Sequence, residues 1–180
     1  TLVVMNDTIN SAAEVTKTHT MSLDTFKSIE FGPLGIVDQG DVIYYRAVTH
    51  FRKYNLKNVV NNDTYLMKAY AGMNGEYISY LIEREARGIV IESLGRGNLP
   101  PQILDQLDDA LQVGIYIVIV SRCYSGRVLD TYAYEGGGRD LTNRGCILGG
   151  SLNGQKARIL LMLAISNDYD YDDIKKMYKL

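Results

Sequence analysis

The sequence has few of the residues that usually hold metal ions or build disulfide frameworks. Its 180 residues include two cysteines, Cys123 and Cys146, and two histidines, His19 and His50. The cysteines match no zinc spacing and no disulfide framework, and each lies in or near an apolar run, so we expect both to pack in the core. The histidines are too far apart in sequence for a zinc motif, so the sequence predicts no metal ion and no other cofactor.

Long runs of one charge and long apolar runs are also missing. The formal net charge is −2 without a basic run, which argues against a nucleic-acid-binding surface. No apolar stretch approaches the roughly 18 residues of a membrane-spanning helix, so neither nucleic acid nor a membrane is an expected partner. A chain of 180 residues suffices for one large domain or two small parts. The scarcity of cysteine slightly favours a cytoplasmic origin and leaves the compartment otherwise unknown.

The beginning of the chain predicts strands and a loop. Leu2–Met5 is apolar and predicts a short buried strand, and the polar residues 6–20 have neither a strand nor a helix period, which predicts a loop. Residues 34–37 and 42–45 predict a β-hairpin whose turn uses Gly40 at positive φ. The chain begins directly on a strand and without methionine, so we expect a processed chain or a piece of a longer protein.

Residues 46–62 are charged, rich in asparagine and poor in periodicity, which predicts a linker between two structural units. The pattern then becomes βαβαβ and continues to two further helices. We predict strands at 64–70, 88–93 and 115–120, and helices at 76–87, 102–112, 155–165 and 172–178. Apolar strands that alternate with amphipathic helices of this length indicate an α/β fold with a small parallel sheet and right-handed crossovers.

A glycine-rich turn, GRGN at residues 95–98, follows the second of these strands and precedes a helix that opens on Pro100 and Pro101. Open α/β sheets hold ligands at the carboxyl ends of their strands, so the turn predicts a ligand loop. Leu99 and Pro100 stand where a Walker loop needs Lys-Ser/Thr, and the third glycine of a dinucleotide loop is missing. The prolines also remove amide donors that would face a phosphate. Nucleotide binding is therefore a minor hypothesis, and a plain connector remains the alternative.

Lys17 lies in a hydroxyl-rich segment, TKTHT at residues 16–20. A lysine that is partly buried among neutral hydroxyls loses the water that stabilises its charge, so it can serve as the base for a threonine or serine nucleophile. The alternative is a solvated surface lysine. Thr1 offers a competing mechanism, in which its α-amino group activates its own hydroxyl. The βαβαβ pattern, however, is wrong for the antiparallel sandwich that hosts such nucleophiles.

Three further side chains are candidates for a ligand site. Glu135 precedes three consecutive glycines, a segment that predicts either a carboxylate carried over a site or a plain mobile loop. Ser121 and Arg122 follow the last predicted strand and should lie at the same sheet edge as Arg96 and Asn98. Arg122 is alternatively a structural ion-pair partner.

Several blocks of sequence, in a fixed order and spacing, carry a resemblance to a known family. They are VMND at 4–7, VTKTHT at 15–20, GPLG at 32–35, GIV at 88–90, GRGN at 95–98, SRC at 121–123 and LNGQKAR at 152–158. Together they resemble the bacterial-type L-asparaginases and glutaminase-asparaginases over nearly the whole chain. The resemblance implies the second half of such a protein: residues 1–45 end its N-terminal α/β domain, 46–62 are the interdomain linker, and 63–180 form the C-terminal, flavodoxin- or Rossmann-like domain.

The resemblance also implies roles for individual residues. Lys17 would belong to a Thr-Lys-Asp triad that activates a threonine hydroxyl, and the threonine and aspartate would lie upstream of this chain. Arg96, Asn98 and Glu135 would face the substrate, L-asparagine or alternatively L-glutamine, in the active site of a neighbouring subunit of a homodimer or homotetramer. Arg96 stands where the best-known members have asparagine, and Gly154 stands where many have proline, so the substrate preference is open.

The leading prediction is therefore an asparagine amidohydrolase whose threonine nucleophile is absent from these 180 residues, so that the chain alone is inactive. Three alternatives remain. The first is the asparaginase-like subunit of a tRNA-dependent amidotransferase, which passes ammonia to a partner protein. The second is a non-catalytic module that binds an amino acid with the Arg96 loop, and the third is a self-activating hydrolase that uses Thr1.

Overall fold

The computed structural model describes residues 1–48, 53–54, 60 and 62–179. The chain divides into two compact units, residues 1–53 (unit 1) and residues 54–180 (unit 2). Most of the predicted linker at 46–62 lies outside the described residues, as does His50.

Unit 1 consists of strands among its described residues. They are β1 (Leu2–Met5), β2 (Thr8–Ser11), β3 (Thr16–Lys17), β4 (Phe26–Lys27), β5 (Gly35–Asp38) and β6 (Asp41–Tyr44). Four of them form an antiparallel sheet in the order β1-β2-β5-β6, and β3 and β4 form a separate two-stranded ribbon. The predicted β-hairpin is confirmed, because β5 and β6 pair across the two-residue turn Gln39-Gly40, with φ of 49° and 96°.

The loop predicted directly after β1 is wrong in its first part, which contains β2. Asn6 and Asp7 adopt φ values of 49° and 55° and form the turn that returns the chain from β1 to β2. Asn and Asp tolerate this left-handed conformation better than other side chains, so the pair was an overlooked hairpin signal. Ile9 is the one apolar residue of β2, and the buried Asn10 accepts a hydrogen bond from Ser28 Oγ at 2.8 Å.

β1 is also more exposed than predicted. Leu2 and Val4 are 46% and 55% exposed. β1 is an edge strand, and the described residues of unit 1 contain no helix that could form a second layer over the sheet. The apolar sequence of β1 therefore predicted the strand correctly. The predicted burial of β1 is wrong for the described part of the chain.

Unit 2 confirms the predicted α/β fold. Its elements are β7 (Thr64–Lys68), α1 (Glu76–Glu83), β8 (Gly88–Ser93), α2 (Leu104–Gln112), β9 (Tyr116–Ser121), α3 (Gly138–Arg144), β10 (Ile147–Leu148), α4 (Gly154–Ser166) and α5 (Tyr171–Met177). The four strands pair in parallel in the order β10-β9-β8-β7.

The central strand β8 is buried along its whole length. Ile89 and Ile91 pack in the layer formed with α1 and α2, whereas Val90 packs in the layer formed with α4 and α5. Full burial of one such side chain contributes about 1.5–3 kcal/mol, so the two layers hold β8 firmly. The strand in turn fixes the start of the loop that leaves its carboxyl end.

Several helix boundaries differ from the predictions. α1 ends at Glu83, because Glu85 adopts a left-handed φ of 55°. A single 3-10 turn, Pro101–Ile103, precedes α2. The predicted cap of α4 is confirmed, since Asn153 Oδ1 accepts a hydrogen bond from Lys156 N at 3.0 Å. No helix in the described part of the chain is long and apolar enough to cross a bilayer.

Candidate functional site

The glycine-rich turn lies at the carboxyl end of β8 and closes on itself. Leu94 and Asn98 exchange backbone hydrogen bonds of 2.9 Å and 3.0 Å, so residues 95–97 form a tight projection. Ser121, the last residue of β9, donates from Oγ to the carbonyl of Gly95 at 2.6 Å. As predicted, Ser121 therefore lies at the same sheet edge as the turn. Arg96 is exposed and Asn98 is half-buried.

A second loop, residues 128–137, runs beside this turn and is hydrogen-bonded to it. Leu129 N donates to the carbonyl of Arg96 at 3.2 Å, and Leu99 N donates to the carbonyl of Gly136 at 2.8 Å. Gly136 has a φ of 78°, and a Cβ atom there would lie 2.3 Å from the Leu99 carbonyl oxygen. The three glycines, for which we predicted either a segment that carries a carboxylate over a site or a plain mobile loop, are buried, and Gly136 permits a close crossing of two backbone segments.

Tyr134 joins the two loops through side chains. Its hydroxyl donates to Asn98 Oδ1 at 2.8 Å, and its ring packs on Tyr132 with a centroid separation of 5.5 Å. Asn98 Nδ2 donates to the carbonyl of Leu94 at 3.3 Å. The neighbouring Glu135 is exposed, as is Arg96 of the facing loop.

An ion-pair cluster fixes the far end of the second loop. Asp140 Oδ2 accepts hydrogen bonds from Gly136 N at 2.9 Å and from Arg144 Nε at 3.0 Å. Arg144 Nη1 also pairs with Asp108 Oδ2 of α2 at 2.5 Å. The hydrogen bond with Asp140 is the largest of the effects that raise the pKa of Arg144. The cluster thus ties Glu135, through its neighbour Gly136, to two helices.

Of the two residues that follow β9, Arg122 lies at the predicted sheet edge, and Cys123 differs from expectation. Arg122 Nη1 donates to the carbonyl of Ala69 at 3.4 Å, so its described contact is to backbone and not an ion pair. Cys123 is exposed, and the prediction that it packs in the core is wrong. The turn after β9 carries it away from the apolar layers. Cys146 is buried, as predicted, and burial raises the pKa of its thiol strongly.

Lys17 lies in unit 1, on the short ribbon of β3 and β4. Its Nζ is 5.4 Å from the ring centroid of Phe26, on the opposite strand. We expected Lys17 to be partly buried among hydroxyl groups, and this is wrong for the described part of the chain, where Lys17 is exposed. Thr18 Oγ1 donates instead to the carbonyl of Thr25 at 2.9 Å. His19 Nδ1 accepts two backbone hydrogen bonds that hold the following turn, of 3.1 Å and 3.0 Å.

A groove of about 530 Å³ opens on unit 1. The residues that line it include Asn10 and Ser28 of the buried hydrogen bond, and Asp24 and Lys27, which form an ion pair of 2.9 Å. A hydrogen bond from Ser22, followed by the contact with Lys27, lowers the pKa of Asp24 to about 2. Lys17 is not among the residues that line this groove.

The candidate residues therefore fall into two sets. Arg96, Asn98 and Glu135 lie on two hydrogen-bonded loops at one edge of the unit 2 sheet, and Lys17 lies on a ribbon of unit 1. The sequence interpretation missed Tyr134 and the cluster around Asp140. The i, i+4 spacing of Asp140 and Arg144 was a usable signal for a helix after the glycines.

Comparison with known proteins gives two family matches. Residues 64–178 match the glutaminase/asparaginase C-terminal domain, and residues 1–50 match the N-terminal asparaginase domain. The chain is 34% identical over 167 residues to an L-asparaginase of Bacillus licheniformis, covering 93% of this chain and 52% of that protein. It is 35% identical over 184 residues to a probable L-asparaginase of Deinococcus radiodurans, covering 98% of this chain and 54% of that protein.

An amidotransferase subunit also matches most of this chain. The chain is 30% identical over 171 residues to a glutamyl-tRNA(Gln) amidotransferase subunit of Pyrococcus abyssi, covering 91% of this chain and 38% of that protein. The chain spans about half the length of the L-asparaginases that it matches.

Proposed function

The chain belongs to the glutaminase/asparaginase family, and from this premise we propose that the protein containing it hydrolyses L-asparagine to L-aspartate and ammonia. The domains 1–45, 46–62 and 63–180 would then be the end of the N-terminal domain, the linker and the C-terminal domain. The hydrogen bond from Leu99 N to the Gly136 carbonyl is the observation that carries the proposal, because it holds the Arg96 loop beside Glu135.

The two loops suit an amino-acid substrate. Arg96 and Glu135 are exposed and oppositely charged. Asn98, two residues after Arg96, adds a carboxamide. A guanidinium can bind the α-carboxylate of asparagine through two hydrogen bonds, and a carboxylate can bind its α-ammonium group. We assign these three residues to substrate binding and no metal ion or cofactor to the reaction.

Lys17 would act as the base for a threonine supplied by a segment upstream of Thr1. Neutral Lys17 accepts the hydroxyl proton while the threonine oxygen attacks the substrate carboxamide carbon. Lys17 then gives this proton to the amide nitrogen as the carbon–nitrogen bond breaks, and ammonia leaves. Water hydrolyses the acyl-threonine to aspartate and restores the threonine hydroxyl. Lys17 is exposed in the described part of the chain, so the proposal requires that other parts of the enzyme enclose it.

We further propose that the site is shared between subunits of a homodimer or homotetramer. Arg96 and Asn98 would face the Lys17 region of another subunit and not that of their own chain. L-Glutamine is the alternative substrate, because Arg96 replaces the asparagine of the best-known members and leaves the preference between the two amides open. A cytoplasmic location, which the scarcity of cysteine favours, belongs to the same proposal.

The second candidate is the ammonia-producing subunit of a tRNA-dependent amidotransferase. The match to the amidotransferase subunit of Pyrococcus abyssi supports it. Such a subunit would need a partner protein to receive the ammonia, whereas an asparaginase would release ammonia alone. A non-catalytic module that binds an amino acid is the third candidate, and calorimetry with asparagine, aspartate and glutamine would detect it.

An ammonia-release assay tests the proposal on two proteins. The first is the 180-residue chain, and the second is a fusion protein in which the upstream half of a matching L-asparaginase precedes Thr1. We expect ammonia from asparagine with the fusion protein and none with the chain alone. Robust turnover by the chain alone would contradict the absence of the nucleophile and would support the Thr1 hydrolase. A well-folded fusion protein that releases no ammonia would contradict the asparaginase proposal.

A further inference from the structure

The Leu94 carbonyl defines the orientation of the Asn98 carboxamide, and the Tyr134 hydroxyl anchors it. The carbonyl oxygen of Leu94 can only accept a hydrogen bond, so the amide nitrogen of Asn98 must face it, and that bond is 3.3 Å long. Asn98 Oδ1 consequently faces the Tyr134 hydroxyl, which must donate, at 2.8 Å. A flipped carboxamide would set an acceptor against the Leu94 acceptor. The Tyr134 hydroxyl can donate or accept, so the Leu94 carbonyl sets the orientation and Tyr134 anchors the carboxamide in it.

The hydrogen bond with Tyr134 uses only part of the hydrogen-bonding capacity of the Asn98 carboxamide. A carboxamide has two N–H donors and two acceptor sites on its oxygen. Tyr134 and the Leu94 carbonyl engage one of each among the described residues. A half-buried Asn98 thus keeps one donor and one acceptor site in a fixed orientation for a ligand.

Tyr134 is itself held on both sides. Its carbonyl accepts a hydrogen bond from Gly137 N at 2.8 Å, and its ring packs on Tyr132. Gly136 N binds Asp140, which pairs with Arg144, so the turn that carries Tyr134 is fixed to α3. The exposed Tyr134 side chain therefore reaches Asn98 from a turn that is hydrogen-bonded to α3.

We propose that Tyr134 is a positioning residue for substrate recognition, whose hydroxyl anchors the Asn98 carboxamide in the orientation that the Leu94 carbonyl sets. The identity of the substrate rests on the proposed function. The positioning role itself rests on the hydrogen bond between Tyr134 and Asn98. Tyr134 acts through Asn98, so its loss weakens substrate binding more than it slows chemistry.

The first test measures the carboxamide directly and does not depend on activity. Nitrogen-15 NMR of the 180-residue chain reports hydrogen exchange of the Asn98 side-chain NH₂ group. Tyr134→Phe removes the hydrogen bond to Asn98 Oδ1, so the less anchored carboxamide should release its NH₂ group from the Leu94 carbonyl more often, and we expect the exchange to accelerate about fivefold. Tyr132→Phe is the matched control, because it keeps the ring contact and removes a hydroxyl that makes no hydrogen bond to another described residue. Unchanged exchange in Tyr134→Phe would overturn the proposal.

The second test uses the fusion protein and asparagine. Tyr134→Phe should raise KM about fivefold and leave kcat within about twofold, since uniform binding is lost. The same substitution in an Asn98→Ala background should leave KM unchanged, because the residue through which Tyr134 acts is gone. Additive effects, or a fall in kcat at constant KM, would overturn the positioning role. If the unsubstituted fusion protein releases no ammonia, the proposed function fails, and the NMR test still decides whether Tyr134 orients Asn98.

Discussion

The carboxylate of Glu92 fills the space that a side chain at Gly154 would need. A Cβ atom at position 154 would lie 2.6 Å from Glu92 Oε1 and 2.7 Å from Leu66 Cδ1. Glu92 is buried and pairs with Lys68 Nζ at 3.1 Å, which holds the carboxylate in place. A glycine therefore stands at the first position of α4, where the resemblance leads one to expect proline.

Gly154→Pro should destabilise unit 2 although proline is usually favourable at the first position of a helix. The ring would displace Glu92 and Leu66, and we expect a loss of about 1–3 kcal/mol in the free energy of unfolding. Denaturant unfolding measures this loss. In a Glu92→Ala background the same substitution should cost less, because the carboxylate is gone. An equal cost in both backgrounds would contradict the steric explanation.

Gly136→Ala should disrupt the crossing of the two loops. The added Cβ would lie 2.3 Å from the Leu99 carbonyl oxygen, and φ is 78°. Steric overlap and backbone strain together should cost about 2–4 kcal/mol in thermal or denaturant unfolding. The matched control is Gly126→Ala, where φ is 86° but no atom lies within 4 Å, so that only about 1 kcal/mol of strain is expected. Equal costs at the two positions would show that the contact with Leu99 is unimportant.

Asp24 should titrate at unusually low pH. Its pKa is lowered from 3.8 to about 2, first by the hydrogen bond from Ser22 and then by Lys27. A depressed pKa means that Asp24 contributes stability above pH 3.8, and that this contribution is lost as the pH falls toward 2. Carbon-13 NMR of the side-chain carboxyl group measures the value. Ser22→Ala and Lys27→Met should each raise it, and Ser151→Ala, in unit 2, should not. An Asp24 pKa near 3.8 in the unsubstituted chain would refute the prediction.

The two cysteines should differ sharply toward a thiol reagent. Cys123 is exposed, whereas Cys146 is buried and its pKa is strongly raised, so little thiolate forms. We expect Ellman's reagent to modify one thiol in the native chain and two after unfolding. Cys123→Ser should abolish the native reaction. Rapid native modification of Cys146 would contradict its burial.

The sequence predicted three of the four strands of the parallel sheet, because these are apolar runs, whereas the two-residue strand β10 was not predicted. Ile89, Val90 and Ile91 alternate between two apolar layers, and such a run has few alternatives to a buried strand. β2 was missed because its sequence is polar, and its burial depends on the pairing of Asn10 with Ser28, which no local pattern shows. The exposure of β1 could not be predicted from the sequence either, because it depends on what covers the sheet.

The candidate site was predictable only in part. The strand-to-helix turn placed Arg96 and Asn98 at a sheet edge, because that follows from the order of elements. The neighbouring segment around Glu135 was interpreted either as a carrier of a carboxylate or as a mobile loop, because three glycines in sequence do not reveal whether they allow flexibility or a close crossing. The close crossing depends on the Leu99 carbonyl, which lies about 37 positions earlier in the chain. Tyr134 was missed for the same reason.

The role of Lys17 as the base can be measured by ammonia release from the fusion protein with and without this side chain. Lys17→Met removes the proposed base, and general-base loss should lower kcat by a factor of about 100 or more. Lys27→Met is the matched control, because Lys27 is also exposed and lies on the paired strand of the same ribbon. We expect kcat to fall by a factor of about 100 or more in Lys17→Met and the rate to stay unchanged in Lys27→Met. Full activity in Lys17→Met, with the protein folded, would contradict the account.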